Sequence, residues 1–172
     1  MIRSLLKSIR QRLRPQRYFS LNGLDRKLEK YVDYDNGYFV ELGANDGVTQ
    51  SNSLYFERHR GWRGLLVEPV LHNFIACRRN RSKKNSIYCA ACVSFSYQEE
   101  FVRIAYSNLM TTPLSLTSDI KNPREHAKMG EQFLSQEEAV VEFGAVAKPL
   151  NTLLLKSNAP SIIDVMSLDV EG

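Results

Sequence analysis

Short apolar runs alternate with stretches of helical spacing from residue 24 onward. Residues 38–42, 64–69, 87–93 and 162–169 are predominantly apolar, the pattern of strands buried on both faces of a parallel sheet. Between them lie amphipathic stretches. Leu24, Leu28, Tyr31 and Val32 follow i, i+4, i+7, i+8 spacing and predict a helix over 24–34. Asp35-Asn36-Gly37 is a turn signal. A second helix opens at a Thr49 or Ser51 cap, packs through Leu54, Tyr55 and Phe56, and stops at Gly61. A third, over 70–80, turns Leu71, Phe74 and Ile75 inward and ends in Arg78, Arg79 and Arg81, where cations suit the helix dipole. Strand–helix alternation of this kind predicts an α/β fold, a Rossmann-like, doubly wound and mostly parallel sheet.

The later part of the chain departs from that rhythm. Residues 93–106 alternate in part and read as a hairpin bending at 98–100. Residues 107–138 are polar and contain Pro113 and Pro123, which predicts an inserted excursion with a helix near 124–134. A strand over 140–146 and a short helix around Leu150, Leu153 and Leu154 lead into the strand at 162–169. The domain is expected to span 24–172, preceded by a basic arm at 1–23.

Charge changes the picture only at that arm. The formal charge of +4 is concentrated there, because six arginines and lysines precede the first acid, Asp25. Ile2, Leu5, Leu6, Ile9 and Leu13 fall at helical spacing between the basic residues. The plain reading is a solvated extension; the alternative is weak contact with an anionic membrane surface or another protein. No aromatic stacking pattern accompanies the charge, so nucleic acid is not an expected partner. Cys77, Cys89 and Cys92 are odd in number and lack a second ligand pair, so neither a disulfide framework nor a metal site is expected. With no secretory signal in the sequence, the expected location is cytoplasmic, with membrane association through the arm as its variant.

The chemistry gathers at three strand ends. YFVELGANDG at 38–47 is a strand running into a turn bounded by Gly43 and Gly47, with Glu41, Asn45 and Asp46 around it. Glu68 ends the second strand about 20 residues past the glycines, where an acid can hold a ribose diol. Cys89, Ala90 and Ala91 at the third tip are small enough to lie beside an adenine ring. The turn lacks the G-x-G-x-x-G spacing that brings a backbone close to a pyrophosphate. An acid at position 41 repels phosphate and attracts an ammonium group. The ligand that fits has an adenosine end and an amino-acid end: S-adenosyl-L-methionine.

The chain resembles the FkbM family of methyltransferases that depend on S-adenosylmethionine. The resemblance is carried by FVELGANDGVTQSNSLYFE at 39–57, GWRGLLVEP at 61–69 and IDVMSLDVEG at 163–172, with PLNTLL at 149–154 in its expected place between them. It implies a class I methyltransferase fold and O-methylation of a sugar or another small hydroxylated molecule. By position it assigns Glu41, Gly43, Asn45 and Gly47 to the methionine part, Glu68 to the ribose and residues 89–91 to the adenine. The family's domain continues past the DVEG segment, so the C-terminal strands of the sheet are expected to be missing here and the chain alone to be poorly stable.

Transfer to a hydroxyl requires removal of its proton. Asp169, at the tip of the fourth strand, is the first candidate base and Glu171 the second; His59, His72 and His126 are alternatives. Ser51, Asn52 and Ser53 read most simply as helix caps. Two other classes compete: a non-catalytic interaction or trafficking module keeping the fold, and a nicotinamide-dependent oxidoreductase, which the glycine spacing disfavours.

Overall fold

The computed structural model describes residues 17–116 and 120–170. In chain order its strands are β1 (Tyr38–Leu42), β2 (Arg63–Val67), β3 (Ser86–Tyr88), β4 (Ala91–Val93), β5 (Phe101–Tyr106), β6 (Thr112–Pro113), β7 (Val141–Pro149) and β8 (Val165–Leu168). The α-helices are α1 (Leu24–Leu28), α2 (Leu54–Arg60), α3 (Leu71–Asn80), α4 (Pro123–Met129) and α5 (Leu150–Lys156).

Four strands form a parallel sheet in the order β3-β2-β1-β8. The strand β1 is central and wholly buried, apolar at every position but Glu41. Side chains alternate across it. Phe39 joins Leu54, Phe56, Trp62, Leu66 and Cys77 on the face covered by α2 and α3. Tyr38, Val40 and Leu42 join Leu65, Val67 and Leu153 of α5 on the opposite face. Helices therefore cover both faces. The chain runs outward from β1 through β2 to β3, then returns to place β8 on the other side of β1. That reversal is a topological switch point, and ligands bind at the carboxyl ends of the strands flanking one.

Residues 87–93 are not one strand. Ser86–Tyr88 pairs with β2, whereas Ala91–Val93 pairs with β7, so the chain changes sheets at Cys89 and Ala90. Nor do β4 and β5 form a hairpin. The second sheet runs β4-β7-β5-β6, and β7 lies between them, parallel to β4 and antiparallel to β5. The small residues Ala145 and Ala147 of β7 let it pack with Ala91, Val102 and Ile104 in a third apolar cluster. The departure from the parallel sheet thus runs from Ala91 to Pro149, wider than the polar excursion at 107–138. The helix expected there is α4, followed by a 3-10 turn at Gly130–Phe133.

Further differences concern single elements. The first helix is only Leu24–Leu28. In α3 Leu71 and Ile75 face solvent, and the buried residue is Cys77. Residues 1–16 of the basic arm lie outside the described residues. Residues 17–23 pack onto the domain: Phe19 is buried, and Asp25, fully buried, accepts the Phe19 N–H at 2.6 Å and the Ser20 hydroxyl at 2.7 Å. Among the described residues no helix is long and apolar enough to cross a membrane.

Candidate functional site

Where β1 ends, the chain turns through three residues in the left-handed region: Gly43 at φ 77°, Asn45 at 48° and Gly47 at 79°. The Gly43 and Ala44 N–H groups donate to the Val67 carbonyl at 3.0 and 3.1 Å, which ties the turn to the end of β2. Gly43 is required sterically as well, because a Cβ there would be driven into the Asp169 carbonyl oxygen. The Asp169 N–H in turn donates to the Leu42 carbonyl at 3.1 Å. The tips of β1, β2 and β8 are thereby locked together.

A cavity opens above these tips. Glu41, Gly43, Asn45, Glu68, Ala90, Ala91 and Asp169 all line it. Three expected residues do not. The Asp46 carboxylate turns away to accept the Val48 and Thr49 N–H groups at 2.8 and 2.7 Å, so it shapes the turn. Gly47 sits against Arg81 and Cys77 below the turn. The Cys89 thiol points to the Pro69 carbonyl. Glu171 lies outside the described residues. His59, His72 and His126 are not among the cavity's lining residues.

Glu68 is the most unusual group in the cavity. It is buried, yet no cation pairs with it among the described residues. Its Oε2 accepts the Asn45 N–H at 2.8 Å and its Oε1 the Val70 N–H at 2.9 Å. Burial pushes its pKa up to about 7, against the lowering effect of these two N–H groups and the Asn73 side chain. Each oxygen accepts one backbone bond and the Asn73 side chain is a third donor, which leaves one of the carboxylate's roughly four lone-pair sites for another. A ligand hydroxyl suits that remaining acceptor site.

The raised pKa has a consequence for stability. An unfolded Glu68 loses its proton near pH 4.5 and the folded one near 7, so between these values the folded state holds more protons. Stability from this group is therefore greatest below pH 4.5 and falls as pH rises to about 7, by at most roughly 3 kcal/mol. Glu29 and Glu138, held below the usual carboxylate range chiefly by the Tyr55 and Tyr106 hydroxyls, have finished titrating by then. Urea unfolding at pH 5 and pH 8 is expected to show the fall in the wild type and a flatter response in Glu68→Gln. Equal slopes in the two proteins would remove Glu68 as its cause.

Glu41 lines the cavity, but its carboxylate is engaged by the chain itself. Strand alternation puts it on the face of Phe39, beneath the turn. There its carboxylate accepts the Ser51 hydroxyl at 3.1 Å, the Ser53 hydroxyl at 2.5 Å, the Asn52 N–H at 2.9 Å and the Arg81 guanidinium at 3.2 Å. Arg81 also donates to Glu57 at 2.7 Å and to the Gly47 carbonyl at 3.2 Å. An ammonium group would have to displace these partners, so Glu41 supports the turn from below. Ser51 and Ser53 belong to this network more than to a cap, although the Ser51 Oγ does accept the Leu54 N–H at 3.1 Å. Asn52 extends it to β8, donating from Nδ2 to the Ser167 hydroxyl at 2.8 Å.

The charges around the cavity are of one sign. Its described lining residues include three acids, Glu41, Glu68 and Asp169, and no Lys, Arg or His. Among the described residues one cation, Arg81, lies beneath the turn and serves both Glu41 and Glu57. Such a lining disfavours a pyrophosphate and favours a neutral or cationic ligand. The cysteines are free, and no group of three His, Cys, Asp or Glu suited to a metal ion occurs among the described residues.

A glycine turn and a buried carboxylate at adjacent strand tips, beside a switch point, define a ligand-binding protein of the doubly wound α/β class. The family model for the Methyltransferase FkbM domain matches residues 41–172, and the chain belongs to that family. Its reaction class is accordingly methyl transfer. Searches of curated proteins and of solved structures each gave no match.

Proposed function

We propose that this cavity binds S-adenosyl-L-methionine and that the protein transfers its methyl group to a hydroxyl oxygen of a sugar or another small molecule. The observation that carries the reading is Glu68. A buried carboxylate at the second strand tip, with no cation paired to it among the described residues and an acceptor site left open, suits a ribose hydroxyl. The rest of the lining fits the same group. Ala90 and Ala91 leave room for a flat ring. Asp169 supplies negative charge suited to a cationic ligand, and among the described lining residues no Lys, Arg or His offers a partner to a pyrophosphate.

The cofactor would supply an electrophilic methyl carbon, and the protein's work is then to position and to move a proton. Glu68 and the Asn45 turn fix one end of the ligand. Leu42, Gly43 and Asp169, cross-linked by backbone contacts, set the distance between the β1 and β8 tips. Positioning of this kind supplies much of the rate of a two-reactant displacement. Asp169, exposed at the end of β8 and facing the cavity, is the residue we assign to accept the hydroxyl proton.

Titration calorimetry tests the reading without knowledge of the acceptor. S-adenosylhomocysteine is expected to bind one to one, and NAD+ to give no saturable heat at millimolar concentration. Silence with the first ligand, or tighter binding of the second, would sink it.

A further inference from the structure

We propose that Gln50 is a ligand-binding residue of this cavity and holds the amino-acid end of S-adenosyl-L-methionine through its carboxamide. The proposal rests on the cofactor reading above and names a partner for the end of the ligand that Glu68 does not reach. The Glu41 carboxylate is engaged by Ser51, Ser53, Asn52 and Arg81, so other groups have to meet the ligand's ammonium and carboxylate.

The order of the strand tips says where those groups must lie. Ala90 is just past β3, Glu68 just past β2, the glycine turn follows β1, and the β8 tip stands on the far side of β1. In adenosine the base and the 5′ carbon leave the ribose from the two carbons that flank its hydroxyl-bearing pair. A ribose at Glu68 with its base toward Ala90 therefore sends its 5′ substituent toward β1 and β8. Residues 50–53 stand on that side, because Ser51 and Ser53 bond Glu41 of β1 and Asn52 bonds Ser167 of β8.

Gln50 and Asn45 both line the cavity there. Among the described residues neither side-chain carboxamide has a hydrogen bond, whereas the other two that line the cavity are engaged, Asn73 by Glu68 and Asn108 by the Phe133 carbonyl. The Thr49 hydroxyl donates to Asp46 at 2.9 Å. A carboxamide suits a zwitterion, since its oxygen accepts from an ammonium and its NH2 donates to a carboxylate. With no Lys, Arg or His among the described lining residues, neutral donors are what the lining offers a carboxylate.

The backbone of Gln50 is held in place from outside the cavity. Its φ of 58° lies in the left-handed region, which residues with a Cβ seldom adopt. Ser20 pairs with it in a parallel bridge. Ser20 is fixed in turn by the buried Asp25, which accepts its hydroxyl at 2.7 Å and its N–H at 3.3 Å. Strain that surrounding contacts sustain in this way gathers at ligand sites.

The test compares S-adenosylhomocysteine with 5′-methylthioadenosine, which keeps the adenosine and the thioether and lacks the amino-acid end. Both are titrated into the full chain by calorimetry. The wild type should bind S-adenosylhomocysteine about tenfold tighter or more. Gln50→Gly accepts the positive φ without strain and removes the carboxamide. It should unfold in urea no earlier than the wild type, lose about tenfold or more in S-adenosylhomocysteine affinity and keep methylthioadenosine within about twofold. Gln50→Glu keeps the shape, replaces the donor with a negative charge, and should lose at least as much. Wild-type affinities that are equal for the two ligands overturn the proposal. So does a folded variant of either kind that binds S-adenosylhomocysteine as the wild type does, or that weakens both ligands alike. In each of those cases the cofactor reading stands. If the wild type does not bind S-adenosylhomocysteine, both fall.

Discussion

Arg81→Ala is expected to destabilise the protein by about 3–5 kcal/mol, the cost typical of removing one partner from a buried ion pair. Arg81 is buried and holds two carboxylates, Glu41 at 3.2 Å and Glu57 at 2.7 Å. Both carboxylates are themselves nearly inaccessible. Removing the guanidinium leaves them with hydroxyl and amide donors but no positive charge, and opens a void beneath the turn where the arginine stem packs against Gly47. Arg81→Lys should recover only part of the loss. A single ammonium cannot reproduce the fork that reaches Glu57 through Nε, Glu41, Gly47 and Ser51 through one terminal nitrogen, and Ser53 through the other. Urea unfolding followed by circular dichroism measures both. A loss below about 1 kcal/mol in the alanine variant, the scale of an exposed pair, would show that the network is not supporting the turn.

Gly43→Ala is the second large effect. Two penalties combine there. A non-glycine residue in the left-handed region costs roughly 1–2 kcal/mol. The new methyl group would also meet the Asp169 carbonyl oxygen, a backbone atom that cannot rotate aside. Overpacking of this kind costs about 1–3 kcal/mol more. Relief requires the tip of β8 to separate from that of β1, which moves Asp169 away from the switch point. The expected result is a loss of roughly 2–5 kcal/mol together with weakened S-adenosylhomocysteine binding. Gly23→Ala gives the comparison, since Gly23 shares a positive φ of 63° but has open space around its missing Cβ. Equal losses at the two positions would mean that dihedral strain alone matters and that the β1–β8 contact contributes nothing.

What could be read from the sequence was local. β1, β2 and the strand at the end of the chain announce themselves as apolar runs, and Gly61 closes α2 in the left-handed conformation its residue type favours. Gly43 and Glu68 were legible because a turn glycine and a strand-end acid have fixed places relative to a strand. What was hidden depends on partners distant in the chain. The alternation of β5 is the same whether β4 or β7 pairs with it, so the insertion of β7 left no local mark. Arg81 looked like its neighbours Arg78 and Arg79 at a helix end. It differs because it is the first residue past α3, with extended backbone at φ −103° and ψ 155°, which turns its side chain under the turn. Glu41 was visible as an acid beside the glycines. Its face was implied by alternation with Phe39, but that this face held a cation was not.

The cofactor claim turns on Glu68, and one titration reaches it directly. S-adenosylhomocysteine is added to the wild type and to Glu68→Ala near pH 8, where the Glu68 carboxylate, with its pKa pushed up to about 7, is mostly ionised. Folding of the variant is checked by its unfolding transition. A hydrogen bond from a ribose hydroxyl to a charged acceptor is worth roughly 1.5–3 kcal/mol, which is a loss of at least about tenfold in affinity. Saturable binding by the wild type, and a loss of that size in a folded Glu68→Ala, is the expected result. Wild-type binding that the substitution leaves unchanged would contradict the account.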